Sequence, residues 1–226
     1  METGTLFVVA TPIGNLEDIT LRALRVLGEV DYVLCEDTRV TGKLLAHYEL
    51  KKQLKRYDAH ASEQVHVDII DDLLAGKKIA LVSDAGTPGV SDPGVLLVTG
   101  AREAGARVEV IPGASSITAA ISLAGIAGNQ FTFLGFAPQK KGRDTFFKGL
   151  ATLPVQPVVF LESTHRIMKA LEKLSAAVPT ATVYLARELT KLHETLHVGT
   201  AADLLQELQA EPVKQKGEFV VLVKAG

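Results

Sequence analysis

The alternation of short apolar runs with helical patterns is the feature that most constrains the fold of this chain. Five such runs in the first half predict strands, at Leu6–Ala10, Tyr32–Cys35, Leu54–Tyr57, Ile79–Ser83 and Val108–Ile111. Helical patterns lie between them, from Thr20 to Gly28, up to Gly76, and from Asp92 toward Gly105. Strands that alternate with helices at this spacing predict a mostly parallel sheet covered on both faces.

The second half of the chain repeats this alternation with different residues. Its predicted strands are Phe131–Leu134, Val158–Leu161, Val183–Ala186 and Phe219–Val223. Its clearest helical patterns fall at about 164–176 and 201–208. We therefore expect two α/β domains with mostly parallel sheets, residues 1–114 and residues 115–226.

Composition and charge exclude several classes of protein. With 226 residues, 47% of them hydrophobic and 22% charged, the chain has the composition of a globular protein. A net charge of −2 argues against a wholly electrostatic nucleic-acid binder. The single cysteine, Cys35, permits no internal disulfide and indicates a reducing compartment. No signal-peptide pattern and no membrane-spanning apolar run is present, so we expect a cytoplasmic protein with no membrane partner.

The loops after the predicted strands of the first half are rich in small, turn-forming and acidic residues. Residues 83–94 read SDAGTPGVSDPG, more than an ordinary connection needs. The segments TPIGN (11–15), EDTR (36–39) and PGASS (112–116) follow other strands. In an open α/β sheet such loops converge on the edge where ligands bind. The helix start at PGASS suits an anion, although a plain helix cap explains it equally well.

Several familiar site patterns are absent from the sequence. There is no G-x-G-x-x-G after the first strand and no G-x-x-x-x-G-K-[ST], which argues against an NAD oxidoreductase and a P-loop nucleotidase. No G-x-S-x-G nucleophile elbow occurs, and the six histidines lack metal-ligand spacing, so we expect no metal. Charged residues cluster in LESTHR (161–166) and ARELTK (186–191), after two second-half strands, and favour a site there over a solvated loop.

Six segments of the chain together resemble a known family. TPIGNLEDIT, EDTR, SDAGTPGVSDPG, ESTHR, ARELTK and KGEFVV occur in that order, and the match runs from about Thr5 to Val223. They resemble the ribosomal RNA small-subunit methyltransferase I family of the tetrapyrrole methylase superfamily. The resemblance implies a class III methyltransferase fold with S-adenosyl-L-methionine in the cleft between the two domains. It further implies a homodimer that methylates the 2′-hydroxyl of a cytidine in the decoding region of 16S rRNA, within the 30S subunit.

The resemblance also implies roles for individual residues. The cofactor-binding residues would be Pro12, Ile13, Asp84, Ala85, Gly86, Thr87, Val90, Ser91, Gly113, Ser115, Ser116, Leu161, Gly217 and Glu218. The catalytic candidates are Glu36, Asp37, Glu162 and Arg187, among which the sequence singles out no one base. The RNA-binding candidates are Arg39, Lys140, Lys141, Arg143, His165, Arg166 and Lys191. No metal is needed, since a sulfonium leaving group is already activated.

Two departures from the family pattern and two rival functions stay open. The family usually carries a further C-terminal, often basic segment, whereas this sequence ends at Gly226, so we expect weak affinity for free RNA. Only His60 remains of a family His-x-His-Asn-Glu pattern, and its role is open. A precorrin-type tetrapyrrole methyltransferase would share the fold and the cofactor. A non-catalytic ribosome-assembly factor would share the fold but should lack the small residues of 83–94.

Overall fold

The computed structural model of the chain describes residues 3–90, 94–126 and 128–225. The chain forms two compact units, Met1–Ser115 and Ser116–Gly226, and each contains a five-stranded sheet with helices packed on it. Within the described residues, no helix combines the length and the apolar character required to cross a bilayer.

The first unit is built on a fully parallel sheet. Its elements are β1 (Thr5–Val9), α1 (Leu21–Glu29), β2 (Tyr32–Cys35), α2 (Thr38–His47), β3 (Gln53–Arg56), α3 (Glu63–Leu74), β4 (Lys78–Val82), α4 (Gly94–Glu103) and β5 (Arg107–Ile111). The strand order is β3-β2-β4-β1-β5, and all neighbouring strands run parallel. The parallel sheet predicted for this half is therefore confirmed.

Alternating residues of the buried strands cover both faces of this sheet. Leu81 in β4 belongs to a buried cluster that includes Leu73 of α3 and Leu97 of α4. Its neighbour Val82 belongs to a second cluster that includes Leu27 of α1 and Leu45 of α2. Since successive side chains of a strand point to opposite faces, α1 and α2 cover one face and α3 and α4 cover the other.

Two helix boundaries of the first unit differ from the sequence prediction. The helix expected to stop at Gly28 continues to Glu29, because the Val30 N–H bonds Val26 O at 3.1 Å and extends the last turn. Helix α2 was not predicted, and it begins directly after Asp37, whose carboxylate accepts a 2.8 Å hydrogen bond from the Arg39 N–H. The predicted N-cap of α4, Asp92, lies outside the described residues.

The second unit contains a mixed sheet of a different topology. Its elements are α5 (Ser116–Ala124), β6 (Thr132–Phe136), α6 (Arg143–Gly149), β7 (Val158–Glu162), α7 (Ile167–Ala177), β8 (Thr182–Arg187), β9 (Thr195–Gly199), α8 (Ala201–Ala210) and β10 (Phe219–Lys224). The strand order is β6-β7-β10-β8-β9. Helices α6, α7 and α8 share one buried cluster with the sheet, while α5 packs against β8 and β10.

The expectation of a mostly parallel sheet is wrong for the second unit. Only β6 and β7 pair in parallel, and β10 runs antiparallel to both β7 and β8, as β9 does to β8. The connection from β8 to β9 is a short loop with no helix, and such a loop can join only antiparallel neighbours. Strand β9 escaped prediction because its polarity is inverted: His197 is buried and Val198 is exposed.

Helix α6 also escaped prediction, since the segment around it was interpreted as a loop. The helix is held by aromatic packing: the Phe147 ring lies edge-on to Phe146 and to Phe160 of β7, at centroid distances of 5.2 and 5.9 Å. Phe147 and Phe160 are fully buried. The contact with the distant strand β7 stabilises this helix, because a helix of seven residues is too short to be stable by propensity alone.

Candidate functional site

The loops at the carboxyl edge of the parallel sheet are joined by backbone hydrogen bonds. Because the five strands are parallel, the segments that follow β1, β2, β4 and β5 all leave from the same edge. Thr11 and Gly86 exchange two backbone hydrogen bonds, Thr11 N–H to Gly86 O at 2.9 Å and the reverse at 3.1 Å. The buried Thr11 hydroxyl also donates to Ser83 O at 3.0 Å. Thr11 therefore fixes the loop after β4 to the end of β1.

Two glycines at this edge occupy places where a side chain has little or no room. Gly86 has a φ of +84°, and a Cβ there would lie 3.3 Å from Cγ2 of Ile13 and 3.6 Å from Ala114 O. A Cβ on Gly113 would lie 2.9 Å from the Cβ of Ala10. The Thr87 hydroxyl donates to Ala114 O at 3.2 Å and links the loops after β4 and β5. Glycine at these two positions therefore lets the loops after β1, β4 and β5 pack closely against one another.

Acidic side chains tie the loop after β2 to the loop after β4. Asp84 Oδ1 accepts a 3.1 Å hydrogen bond from Asp37 N–H, and Asp84 N–H donates to Glu36 Oε1 at 3.4 Å. Asp37 also pairs with the guanidinium of Arg39 at 2.6 Å. Hydrogen bonds from the Arg39 side chain and backbone lower the pKa of Asp37 to about 2, so this carboxylate is ionised at neutral pH.

The other predicted cofactor-binding residues of the first unit lie along the same loops. Pro12 and Ile13 are buried, Ala85 and Val90 are exposed, and Ser115 is half-buried just before α5. Ser116 opens helix α5 in the second unit. The predicted residue Ser91 lies outside the described residues.

The register of the second sheet brings three sequence motifs together. Phe219, the first residue of β10, lies opposite both Glu162 at the end of β7 and Arg187 at the end of β8. The segments ESTHR, ARELTK and KGEFVV therefore meet at one edge of the sheet. The sequence predicted that the first two form a site, but not the antiparallel insertion of β10 that adds the third.

Polar contacts connect these three motifs. The Thr164 hydroxyl donates to Gly217 O at 2.6 Å and accepts from Gly217 N–H at 2.9 Å. Glu188 Oε1 accepts from Glu218 N–H at 2.9 Å and from Lys191 Nζ at 3.1 Å. Glu188 adopts a φ of +52°, an uncommon backbone conformation for a non-glycine residue. The predicted cofactor-binding residues Gly217 and Glu218 are thus held by hydrogen bonds, and the predicted Leu161 on β7 lies opposite Val220 of β10.

Glu162 sits at the centre of a buried ionic cluster. Its carboxylate has no exposed surface and pairs with Arg166 Nε at 2.9 Å and with Arg143 Nη2 at 3.0 Å. The same guanidiniums donate to two backbone carbonyls, Arg166 to Ala137 O at 3.0 Å and Arg143 to Pro138 O at 2.8 Å. The predicted catalytic residue Glu162 is therefore buried and paired with two guanidiniums.

Arg187, another catalytic candidate, is also engaged by the protein itself. The residue is 7% exposed, and its guanidinium donates to Lys216 O at 2.6 Å, to His193 O at 3.1 Å and to Val213 O at 3.4 Å. These three carbonyls belong to the segments that flank β9 and β10. Arg187 therefore holds two loops in place at the end of β8.

The predicted RNA-binding residues divide into a partly buried group and an exposed group, and the exposed Arg39 is itself paired with Asp37. Arg143 and Arg166 belong to the Glu162 cluster, and Lys191 bridges Glu188 and Glu218. The exposed members are Arg39, Lys140, Lys141 and His165. Among the described residues, no cluster of three or more His, Cys, Asp or Glu side chains is arranged to hold a metal ion.

Comparisons with known proteins identify the family. The sequence profile described as Tetrapyrrole (Corrin/Porphyrin) Methylases matches residues 5–205. The chain is 44% identical to "Ribosomal RNA small subunit methyltransferase I" of Haemophilus influenzae over 225 residues, 98% of this chain and 79% of the relative. The protein of the same name from Thermotoga maritima is 40% identical over 97% of this chain and 98% of its own. The chain belongs to the ribosomal RNA small subunit methyltransferase I family.

Solved structures agree with this family in fold. The uroporphyrin-III C-methyltransferase of Thermus thermophilus, complexed with S-adenosylhomocysteine, superposes with a TM-score of 0.65 at 20% identity and covers 98% of this chain and 97% of that one. A diphthine synthase superposes with a TM-score of 0.76 at 17% identity, over 98% and 89% of the chains. The predicted family, the two-sheet α/β fold class and the cofactor are thereby confirmed: the protein is an S-adenosylmethionine-dependent methyltransferase.

Proposed function

We propose that this S-adenosylmethionine-dependent rRNA methyltransferase modifies the 2′-hydroxyl of a cytidine ribose in the decoding region of 16S rRNA, within the 30S subunit. The observation that carries the proposal is the set of loops at the carboxyl edge of the parallel sheet, which hydrogen bonds of Thr11, Asp84 and Thr87 join to one another. The relatives at 40–44% identity, named for small-subunit rRNA methylation, supply the substrate class. The same ribosomal substrate leads us to propose a cytoplasmic location.

The residues of this edge fit the cofactor. Gly86 and Gly113 let the loops after β1, β4 and β5 pack closely, while Asp84 and Ala85 remain exposed to a ligand. The first turn of α5, at Ser116, suits the carboxylate of an amino acid. We assign Pro12, Ile13, Asp84, Thr87 and Ser115 to the same binding surface, and Ala85, Val90, Ser91, Leu161, Gly217 and Glu218 as further contacts. When bound, S-adenosylmethionine supplies a methyl group that is already activated by the sulfonium.

The remaining chemical task of the chain is to orient the ribose hydroxyl and accept its proton. Of the predicted carboxylates, Glu162 is closed off by two guanidiniums, and the lowered pKa of Asp37 makes it a weak base. Glu36 is half-buried at the end of β2, beside Asp84 of the loop after β4. We therefore assign the proton acceptor to Glu36, with its neighbour Asp37 as a positioning residue. Arg187 keeps the task of holding the loops at the end of β8.

A precorrin-type tetrapyrrole methyltransferase is the second candidate function, because structures with that activity share the fold. Their identity to this chain is 18–23%, however, against 40–44% for the rRNA methyltransferases over a similar share of the chain. A non-catalytic assembly factor would keep the fold without transferring a methyl group. Both rivals are tested by the same transfer experiment.

The experiment measures transfer of a labelled methyl group to 30S subunits, to naked 16S rRNA and to a uroporphyrinogen. We expect transfer to 30S subunits that exceeds transfer to naked rRNA, because the chain carries no net positive charge. Alkaline hydrolysis should leave one phosphodiester bond intact, next to one cytidine in the decoding region, since a methylated 2′-oxygen cannot attack the phosphodiester. Label on a base, or on the macrocycle alone, would contradict the proposal.

The assembly state is part of the same proposal. We propose a homodimer, in keeping with the family resemblance, since doubling the chain would place two equivalent copies of each basic surface on a large RNA target. Sedimentation equilibrium should give twice the 24.1 kDa chain mass at micromolar concentration. A mass of one chain under conditions of full activity would contradict this.

A further inference from the structure

Positive charge in this protein is concentrated in one segment of the first unit. Residues 39–56 contain six lysines and arginines and one acidic residue, Glu49, although the whole chain has a net charge of −2. Helix α2 contains no acidic residue, and Arg39, Lys43 and His47 follow one another at steps of four along it. Residues at this spacing share a helix face, here an exposed one about 12 Å long at 1.5 Å per residue.

The opposite face of the same sheet has the opposite charge. Helix α3 contains four acidic residues, Glu63, Asp68, Asp71 and Asp72, and no lysine or arginine. Because α2 and α3 pack on opposite faces of the sheet, the charges of the first unit are separated in space. A nearly neutral chain can therefore present a basic surface.

A groove lies next to the basic face of α2. It has a volume of about 930 Å³ and is lined by the last turns of α2, by residues 49–52 and by Leu54 of β3. Lys51 and Lys52 border it, and β3 is the outermost strand of its sheet, so the groove is at an edge of the unit. We call the exposed face of α2 and this groove the α2–β3 surface; its basic members are Arg39, Lys43, His47, Lys51 and Lys52.

The basic groups of this surface include charges that the protein does not neutralise. Within residues 3–90, 94–126 and 128–225, neither Lys43 nor Lys51 forms an ion pair. Three basic groups of the second unit that the sequence assigned to RNA, Arg143, Arg166 and Lys191, are paired with internal carboxylates instead. Unpaired, exposed cations are the groups that displace counterions from phosphates.

We propose that the α2–β3 surface binds the phosphodiester backbone of the rRNA substrate and places the target nucleotide at the carboxyl edge of the parallel sheet. The inference rests on the proposed function for the identity of the nucleic acid. The geometry supports it because α2 begins at Asp37, whose N–H contacts Asp84 of the glycine-containing loop. Phosphates bound along the helix therefore lead to the edge where the cofactor is expected. Such contacts position an RNA without reading its sequence.

The test compares two double variants of equal charge change. The first is Lys43→Ala with Lys51→Ala; the control is Lys169→Ala with Lys224→Ala, two exposed lysines of the second unit on α7 and at the end of β10. Binding to 30S subunits is measured over a salt series. Each phosphate contact contributes about 0.7 to 0.9 to the slope of log K against log salt, so the first variant should lose about 1.4 to 1.8. This corresponds to about 25- to 60-fold weaker binding at 0.1 M salt if the affinities converge at 1 M.

The outcomes separate this inference from the proposed function. We expect the first variant to raise KM for 30S subunits with kcat and the Kd for S-adenosylmethionine unchanged, while the control behaves like the wild type. The proposal for the α2–β3 surface would be overturned if the first variant had the salt slope of the wild type, or if the control lost as much slope as the first variant. Absence of methyl transfer to 30S subunits by the wild type would overturn the proposed function. The binding series would still show whether the α2–β3 surface binds 30S subunits.

Discussion

Replacing Glu162 by glutamine tests whether its carboxylate is structural or catalytic. The side chain lies at the end of β7 with no exposed surface, between Arg143 and Arg166, whose side chains are 11% and 20% exposed. Glutamine keeps the shape and an acceptor oxygen for the Ser163 N–H, which bonds Glu162 Oε1 at 2.8 Å. It removes the negative charge that compensates two largely buried guanidiniums.

The size of the effect follows from this burial. Removal of one partner from a buried ion pair typically costs about 3–5 kcal/mol. The guanidiniums keep some contact with solvent and with the carbonyls of Ala137 and Pro138, so we expect the lower end, about 3 kcal/mol. For a chain of this size, each kcal/mol lowers Tm by about 2–4 °C, so Tm should fall by about 6–12 °C.

Thermal unfolding followed by circular dichroism measures this shift, and kinetics below the transition measure the chemistry. The control is Glu172→Gln, which changes an exposed glutamate on α7 and should leave Tm within about 1 °C. We expect Glu162→Gln to retain kcat within a few-fold at 20 °C. A normal Tm combined with a kcat reduced a hundredfold or more would refute the structural role and restore Glu162 as the catalytic base.

Three further predictions concern the cofactor loop, the proton acceptor and the basic loop before α6. Gly86→Val should sharply weaken S-adenosylmethionine binding in calorimetry while the fold survives, whereas Gly105→Val, at a similar φ but in open space, should not; equal affinities would refute the role of the 83–90 loop. Glu36→Gln should lower kcat by about 10²–10⁴ with cofactor affinity unchanged, and an unaltered pH profile of kcat would exclude it as the base. Lys140→Ala with Lys141→Ala should weaken 30S binding and flatten its salt dependence, and wild-type methylation across a salt series would make this loop a plain linker.

The parallel sheet and the edge where its loops converge were accessible from the sequence. Strands such as Tyr32–Cys35 are short apolar runs. The segment 83–94 contains glycines with positive φ angles, a backbone conformation that favours glycine. These signals are local, since apolar periodicity and turn chemistry act over a few residues. The antiparallel β10 and the edge strand β9 were not accessible, because a buried His197 and an exposed Val198 reverse the expected pattern.

The roles of the charged residues depended on tertiary structure. The sequence placed Glu162, Arg143 and Arg166 among catalytic and RNA-binding candidates, because charged groups at strand ends favour a site. Folding brings the three together from β7, α6 and the start of α7, and pairing in a buried place removes them from solvent. The sequence alone determined the family, the strands of the parallel sheet and the loops that follow them. Which charges face inward and which remain exposed was decided by the packing of distant elements, since burial depends on the partners that a chain segment meets after folding.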